Sequence, residues 1–395
     1  VHINEPGRTH WEGFVTATKA AAAGGVTTLI DMPLNSIPPT TTVDNLNAKT
    51  KEARGQTYVD VGFYGGVIPT NVEDLTPLIN AGVIGFKCFM IESGVEEFPC
   101  VNEEQIKAAM EVFQKTNTVF MFHAEMDDGE IPKPDGMDLK AYSTFLHQRP
   151  QALETKAIST IIRLAKKYPK VRCHIVHLSA ADALPMIRQA KAEGVRLTVE
   201  TCPHYLSLNS EAVPEGATEY KCCPPIREDE NRETLWDALK DGTIDYVVSD
   251  HSPCVVELKL MDAGDFLGAW GGIGGLQFGI PVVWTEARGR GCTIQDLTKW
   301  QSYNTAHQVG LGDEKGSIKV GADADFVIWN PEETFVVKKE IIEFKNKVTP
   351  YMGRTLYGVV KETYVRGQKV WSKGEFASEV PLGKLLLKEH PLADL

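Results

Sequence analysis

The chain has 395 residues, of which 43% are hydrophobic and 24% charged, and its formal net charge is -12. This length exceeds one small core and is long enough for a large barrel plus an added module. An acidic surface repels phosphate backbones, so nucleic acid is excluded as a partner, and solubility is the simpler explanation of the charge.

The cysteines and the apolar runs indicate the kind of compartment. Eight cysteines are scattered without zinc-finger spacing, which favours a reducing environment. No apolar run reaches the roughly 18 residues needed to span a bilayer, so we expect no membrane association. No signal peptide is visible at Val1, but the chain starts without a methionine, and a targeting segment could have been removed. We expect the cytoplasm, or a mitochondrial or peroxisomal matrix if such a segment existed.

Apolar β-branched runs alternate with amphipathic stretches along most of the chain, which predicts repeated βα units. The predicted strands are Val26–Asp31, Val59–Val67, Val83–Met90, Val119–His123, Val171–Leu178, Val195–Glu200 and Ile244–Ser249, with Val1–Ile3 as the tail of one more. The predicted helices are Trp11–Ala23, Val43–Ala53, Glu103–Gln114, Ala152–Lys167, Ala181–Ala192 and Asn231–Lys240. Eight mostly apolar strands are typical of a parallel sheet buried on both faces. The predicted fold class is therefore α/β, with a (β/α)8 TIM barrel over residues 1–309.

The alternation ends near residue 310. Residues 316–329 then form a glycine-punctuated β segment, and further short strands follow to about Trp371. We interpret residues 310–395 as the C-terminal part of a small, incomplete β-sandwich domain whose partner strands precede Val1. The last twenty residues are expected to be a polar, weakly patterned tail.

Chemically versatile side chains stand at the predicted strand ends. His2 ends the opening strand, His123 and His177 end two central strands, and Asp250 ends the last one. A single strand histidine is more often a core residue than a ligand. However, strand ends converge at one mouth of a barrel, and three imidazoles with a carboxylate are ligands that suit zinc. The pattern therefore predicts a metal site.

Lys87 lies inside a predicted apolar strand. A buried charged amine is unfavourable, and burial lowers the pKa of a lysine towards a neutral form that can react with carbon dioxide. The resulting carbamate is an anionic oxygen ligand. The alternative is a lysine whose ammonium extends to the barrel mouth and plays no part in the chemistry.

These residues resemble the cyclic amidohydrolases, a group that includes hydantoinases, dihydropyrimidinases, dihydroorotases and allantoinases. In that group the first strand ends in His-x-His, the fourth carries a carboxylated lysine, the fifth and sixth each supply a histidine, and the eighth supplies an aspartate. Val1-His2 matches the end of His-x-His, and Lys87, His123, His177 and Asp250 match the other ligands. The first histidine of the motif would precede Val1, so we expect one metal site of this chain to be weakened.

The resemblance implies a mechanism and an assembly. Two divalent metal ions, zinc with manganese or cobalt as alternatives, would share a hydroxide and the N6-carboxylated Lys87. One ion would also bind His2 and Asp250, and the other His123 and His177. Asp250 would act as general base and then general acid while the hydroxide opens a cyclic amide. Homotetramers are the assembly that the family implies.

Local differences between this chain and other cyclic amidohydrolases restrict the class of substrate that we expect. Dihydroorotases carry an arginine for the substrate carboxylate where this chain has Asn4, so a neutral cyclic amide is expected. Dihydropyrimidinases and hydantoinases carry a tyrosine shortly after the lysine strand, and Ile91-Glu92-Ser93-Gly94 contains none. Three stretches resemble allantoinases, which open the hydantoin ring of allantoin to allantoate: residues 4–9, 31–36 and 249–254. A broader hydantoinase or dihydropyrimidinase and a non-catalytic scaffold relative remain the alternatives.

Two further segments have two interpretations each, and two further histidines are expected to have supporting roles. Cys202-Pro203-His204 either lines the site or packs. Gly271–Gly275 either cradles a ligand with its N–H groups or forms a turn before a helix. His174 is expected on the opposite strand face from His177, in a structural role. His251 is expected to hydrogen-bond near the metal ligands.

Overall fold

The computed structural model describes residues 1–129, 131 and 134–387. Seven parallel strands form one sheet in which neighbours along the chain are also neighbours in the sheet. They are β1 (Thr28–Asp31), β2 (Asp60–Gly66), β3 (Gly85–Phe89), β4 (Val119–His123), β5 (Arg172–Ile175), β6 (Leu197–Thr201) and β7 (Tyr246–Val247). Parallel strands in sequential order are the repeat of a TIM barrel, so the predicted architecture is confirmed.

The opening three residues occupy the gap between β1 and the segment after β7. The Val1 nitrogen donates to the Ile30 carbonyl at 3.3 Å. The Met32 N–H donates to the Val1 carbonyl at 2.8 Å, and the His2 N–H donates to the His251 carbonyl at 2.7 Å. Because these bonds run to both neighbours, the opening residues take the place of the eighth strand.

Helices surround the sheet. They are α1 (Phe14–Ala23), α2 (Val43–Ala53), α3 (Leu75–Asn80), α4 (Glu103–Phe113), α5 (Tyr142–Gln148), α6 (Gln151–Lys167), α7 (Leu184–Ala192), α8 (Pro203–Ser207), α9 (Asp229–Lys240), α10 (Gly279–Arg288), α11 (Ile294–Thr298) and α12 (Asn304–Gln308). Among the described residues, none of these helices combines the length and apolar character that a bilayer crossing requires.

The six predicted helices are present, and caps explain where two of them begin. The Thr42 hydroxyl accepts from the Asn45 N–H ahead of α2, and Asn102 and Gln105 form a reciprocal capping box at α4. The sequence analysis missed α10, which has no side-chain cap and carries Gly279 and Pro281 in its first turn. Glycine and proline favour a loop in sequence-based prediction, and burial of the helix against α8 and Thr355–Val365 outweighs them.

A second, antiparallel sheet follows the barrel. Its strands are β8 (Phe326–Val336), β9 (Thr355–Val365), β10 (Gln368–Ser372) and β11 (Glu375–Phe376), in the order β11-β10-β9-β8. The Tyr357 N–H donates to the Thr285 hydroxyl of α10, and the Thr363 hydroxyl donates to the Ala22 carbonyl of α1. The predicted small β-domain is this sheet, and within the described ranges no other sheet faces it.

The end of the described chain returns to the barrel, so the prediction of a weakly patterned tail is wrong as far as residue 387. Strand β12 (Leu385–Leu386) pairs in parallel with β2, with Leu385 opposite Val61. The Gly383 N–H donates to the Thr57 carbonyl at 2.7 Å. Leu385 and Leu386 are partly buried against β2, and this burial stabilises the pairing although the segment as a whole is polar. The rest of the predicted tail lies outside the described residues.

A buried charge cluster joins β2 to the second sheet. The Lys315 ammonium donates to Asp60, Asp323 and Asp325 at 2.9, 2.9 and 2.7 Å. The Arg366 guanidinium also pairs with Asp60. The three carboxylates are close enough to hold a metal ion, but the Lys315 ammonium already bonds all three of them, so we interpret the cluster as an ionic link between the two sheets.

Candidate active site

The five residues predicted as metal ligands lie at the carboxyl-terminal mouth of the barrel. Lys87 lies in β3 and His123 is the last residue of β4. His177 and Asp250 follow β5 and β7, and His2 lies in the opening segment beside both β1 and the end of β7. Four of them form two close pairs, His2 with Asp250 and His123 with His177.

The first pair has a defined orientation. His2 Nε2 lies 3.6 Å from Asp250 Oδ1, which is longer than a hydrogen bond. His2 Nδ1 lies 3.1 Å from the Leu34 carbonyl oxygen. A carbonyl can only accept, so Nδ1 carries the proton and Nε2 presents its lone pair towards Asp250.

The second pair is oriented by a carboxylate. His123 Nδ1 lies 3.1 Å from His177 Nε2, and His123 Nε2 lies 2.6 Å from Glu125 Oε1. The Arg149 guanidinium donates to the same Glu125 oxygen at 2.7 Å. An ionised Glu125 accepts from Nε2–H, which leaves the His123 Nδ1 lone pair facing His177.

Two of the five residues have an unusual backbone conformation. His177 has φ 40° and Asp250 has φ 39°, in the left-handed region that residues other than glycine rarely enter. Such strain is concentrated at functional sites, where the surrounding structure must hold it in place. Each residue lies two or three positions after the end of a parallel strand, at the edge where a TIM barrel places its chemistry.

Lys87 is almost completely buried, and its ammonium nitrogen lies 4.9 Å from the centre of the Phe89 ring. Burial lowers the pKa of Lys87, while the charges of Asp250 and Glu200 oppose that shift. The net lowering increases the neutral fraction of the amine, as the sequence analysis expected for a lysine inside an apolar strand.

Burial also sets the charge of the other four residues. It lowers the pKa of His2 and His123, and it lowers the pKa of His177 well below its ordinary range. Burial opposes ionisation of Asp250, but His2, His177 and Lys87 outweigh it and hold the pKa of this carboxyl far below its usual value. The site therefore presents neutral imidazoles and an ionised carboxylate at neutral pH, the forms that bind metal ions.

Buried polar atoms without partners show what the site can hold. Among the described residues, Asp250 Oδ1 and His177 Nδ1 are buried and have no hydrogen-bond partner. Leaving such an atom unsatisfied costs about 1–3 kcal/mol. Imidazole nitrogens paired with each other and with a carboxylate suit a first-row divalent cation, so the residues present fit a metal site.

Residues 1–370, which contain both pairs and Lys87, match the model of the amidohydrolase family. The chain belongs to this family. Its relatives include proteins named allantoinase from Streptomyces avermitilis, 52% identical over 98% of this chain and 86% of that protein, and from Saccharomyces cerevisiae, 48% identical over 98% and 84%. A relative from Aquarana catesbeiana, named as a mitochondrial allantoinase, is 55% identical over 81% of this chain and 66% of its own length.

Solved structures agree with the fold. The L-hydantoinase (dihydropyrimidinase) from Arthrobacter aurescens superimposes with a TM-score of 0.92 at 29% identity, covering 98% of this chain and 87% of that one. A D-hydantoinase superimposes with a TM-score of 0.87 at 28% identity, covering 95% and 83%. The barrel of this amidohydrolase is therefore a hydantoinase-like barrel.

Other predicted site residues take structural positions in the amidohydrolase. The Asn4 side chain is buried and bonds Asn35 and the Pro253 carbonyl. His251 was expected to hydrogen-bond near the metal ligands, and its carbonyl does so by accepting from the His2 N–H at 2.7 Å. Its ring has other partners, because Nε2 lies 2.9 Å from Glu12 and Nδ1 accepts from the Gly275 N–H.

The glycine segment Gly271–Gly275 packs alongside the residues that follow Asp250. Ile273 bridges to His251, and the Ser252 N–H donates to the Ile273 carbonyl at 3.0 Å. Gly272 has φ 143°, and a β-carbon there would lie 2.2 Å from the Ser252 carbonyl oxygen. Glycine is therefore required at this position for the close approach of two backbones.

The predicted placement of His174 is wrong. It was expected on the opposite face from His177, but His174 pairs in register with Met121, which shares a face of β4 with His123, the residue whose ring contacts His177. His174 Nε2 lies 3.0 Å from Glu200 Oε2. Strand β5 ends at Ile175, so period-2 alternation does not extend to His177. Tyr246 stacks on His174 and completes its surroundings.

Sequence analysis missed the charged residues behind the second pair. Glu125 follows His123 by two residues, a spacing that could have suggested a partner for its ring. Nothing in the sequence connects Arg149 to Glu125, because the loop and helix between β4 and β5 bring them together.

Proposed function

We propose that this amidohydrolase hydrolyses the hydantoin ring of allantoin to allantoate. The observation that carries the proposal is the pair of converging ligand sets at the barrel mouth, in a chain that shares about half of its residues with relatives named allantoinase. Water adds to a ring carbonyl, the ring C–N bond breaks, and a carboxylate and a free ureido nitrogen result.

We assign His2 and Asp250 to one divalent metal ion and His123 and His177 to a second, with zinc as the first choice and manganese or cobalt as alternatives. When bound, such ions polarise a carbonyl and lower the pKa of water. The available lone pairs support this assignment. The Leu34 carbonyl fixes the proton of the His2 ring on Nδ1, so Nε2 presents its lone pair towards Asp250. Glu125 fixes the proton of the His123 ring on Nε2, so Nδ1 presents its lone pair towards His177.

Lys87 is proposed to carry the N6-carboxyl group. The neutral amine attacks carbon dioxide and loses a proton, which leaves an anionic carbamate as a shared oxygen ligand. The lowered pKa of Lys87 supports this role because only the unprotonated amine reacts.

Asp250 is proposed as the proton carrier. Its Oδ1 is buried without a hydrogen-bond partner, so it can accept a proton from the attacking water and return it to the leaving ring nitrogen. The surrounding structure holds the strained backbone of Asp250, and with it the carboxylate, in place before substrate arrives.

We expect a neutral substrate because the site has an uncharged residue at the position of a carboxylate-binding arginine. Asn4 stands where dihydroorotases carry an arginine, and its amide is engaged by Asn35 and Pro253. A substrate carboxylate would therefore gain no cation at this position.

A hydantoinase with a broad substrate range is the second candidate, favoured by the TM-score of 0.92 to an L-hydantoinase. Turnover of allantoin, hydantoin and dihydrouracil by the zinc-loaded enzyme decides between the two. We expect kcat/KM for allantoin to exceed the other values at least about 100-fold, because a site that hydrogen-bonds the ureido group of allantoin rejects rings that lack it. Equal values for the three substrates would contradict the narrow assignment.

For assembly and location we propose a homotetramer in a reducing compartment, either the cytoplasm or an organelle matrix. All eight cysteines are free, which supports the compartment. The Aquarana catesbeiana relative is named as a mitochondrial protein, which supports the organelle alternative.

A further inference from the structure

Three buried charged residues and the partly exposed Arg149 lie behind the pair His123 and His177. We propose that Glu125, Arg149, Glu154 and Arg227 form a positioning unit that fixes the orientation and separation of these two histidines for metal binding. The inference rests on the proposed function in that it takes the two histidines as ligands.

The first half of the unit orients His123. Glu125 Oε1 receives both the His123 Nε2–H at 2.6 Å and the Arg149 guanidinium at 2.7 Å. The Glu125 side chain is fully buried, and three quarters of the Arg149 side chain is buried. Arg149 therefore holds the Glu125 carboxylate in place, and Glu125 holds the ring with Nδ1 towards His177.

The second half fixes the turn that carries His177. Glu154 projects from α6, and its Oε2 accepts from the backbone N–H groups of Ser179 and Ala180, both at 3.0 Å. These two amides closely follow His177, whose φ of 40° needs support from its surroundings. A carboxylate that binds two successive amides supplies that support.

Arg227 connects the two halves. Its guanidinium donates to Glu154 Oε1 at 2.7 Å and to the Arg149 carbonyl at 3.0 Å. The Arg227 and Glu154 side chains are each only 2% exposed. Two carboxylates and two guanidinium groups balance in charge, which a buried cluster requires. The unit thus spans from the end of β4 to the turn after β5, and its inner edge is the 3.1 Å contact between the histidines.

The chain offers a matched control. Glu12 and His251 form a second buried carboxylate–histidine pair, 2.9 Å apart, but both ring nitrogens of His251 are engaged by protein groups. A Glu-to-Gln change at Glu12 therefore perturbs a comparable buried pair without turning a ligand nitrogen away from the metal.

The test measures zinc affinity of the metal-free full chain by competition with a chromophoric chelator, with zinc content per chain determined in parallel. Glu125→Gln is expected to weaken zinc binding about 10–100-fold, because a glutamine amide can donate to Nε2 and move the ring proton to Nδ1. Glu12→Gln is expected to keep the wild-type affinity. Arg149→Met, at a partly exposed position, is expected to weaken zinc binding in the same direction by a smaller factor, and it serves if Glu125→Gln does not fold.

The outcomes separate this inference from the proposed function. Wild-type affinity in both Glu125→Gln and Arg149→Met, or an equal loss in Glu12→Gln, would overturn the positioning unit. A wild-type chain that binds zinc but leaves allantoin intact would overturn the proposed function alone. A wild-type chain that binds no zinc would overturn both.

Discussion

Burial decides the charge of the histidines around the barrel mouth. His204 is 1% exposed, and neither of its ring nitrogens has a hydrogen-bond partner among the described residues. Burial lowers the pKa of His204 to about 4, and the nearby Asp250 only partly opposes this. The ring is therefore neutral at physiological pH, and its charging is disfavoured only in the folded protein.

This difference predicts an acid-dependent loss of stability. The pKa of His204 is about 4 in the folded chain and about 6.5 in the unfolded chain. Between these values the unfolded chain binds the extra proton, so the free energy of unfolding falls as pH decreases through this window. At pH 5.5 the loss from His204 alone is about 1.4 kcal/mol.

Urea unfolding of the metal-free protein at pH 7.5 and 5.5 measures this loss. The decrease in unfolding free energy is expected to be smaller in His204→Asn than in the wild type by about that amount. His10→Asn, at an exposed histidine, is the control and should behave like the wild type. An identical pH dependence in all three proteins would contradict the account of His204.

At the scale of elements, a buried ion pair fixes the segment that carries His2. Asp31 at the end of β1 accepts from the Ile3 N–H at 2.8 Å and from the Lys49 ammonium of α2 at 2.7 Å. Lys49 also donates to the Met32 carbonyl at 3.1 Å, and both charged side chains are at most 1% exposed. The pair thus joins α2, β1 and the opening segment.

Removing one partner should therefore be more harmful than removing both charges. Lys49→Met is expected to lower the free energy of unfolding by about 3–5 kcal/mol, because Asp31 is left buried and unpaired. The double variant Lys49→Met/Asp31→Asn is expected to recover part of that loss, since the neutral amide that replaces the carboxylate can still accept from the Ile3 N–H. A double-mutant cycle in denaturant measures the coupling, and simple additivity of the two losses would count against the role of the pair.

The strands, and the placement of the five proposed ligands at one barrel mouth, could be predicted from the sequence because their signals are local. Apolar β-branched runs mark buried parallel strands, and the residue at the end of each run identifies the barrel mouth. The partners of Glu125 and Glu154 could not be predicted, since Arg149 and Arg227 reach them only through the packing of the βα units. The period-2 rule failed at His174 because β5 ends before His177.

At the scale of the whole molecule, β2 contacts both the returning strand β12 and the second sheet, which is also bonded to α1 and α10. Asp60 lies at the centre of this attachment: it pairs with Lys315 and Arg366, and its Oδ1 accepts from the Lys384 N–H. Residues more than 250 positions apart therefore share one buried carboxylate. The two proposed ligand pairs lie at the mouth of this barrel, and we propose that the ring-opening chemistry takes place at that one centre.

Allantoin turnover by the zinc-loaded wild type and by Asp250→Asn, with zinc content measured on both proteins, tests that assignment most directly. We predict conversion to allantoate by the wild type, and a kcat lowered about 10²–10⁴-fold in Asp250→Asn, because the amide cannot accept the proton from water. The zinc determination shows whether metal loss contributes to the effect. Undiminished turnover by Asp250→Asn, or no turnover by a wild type that holds its zinc, would contradict the account.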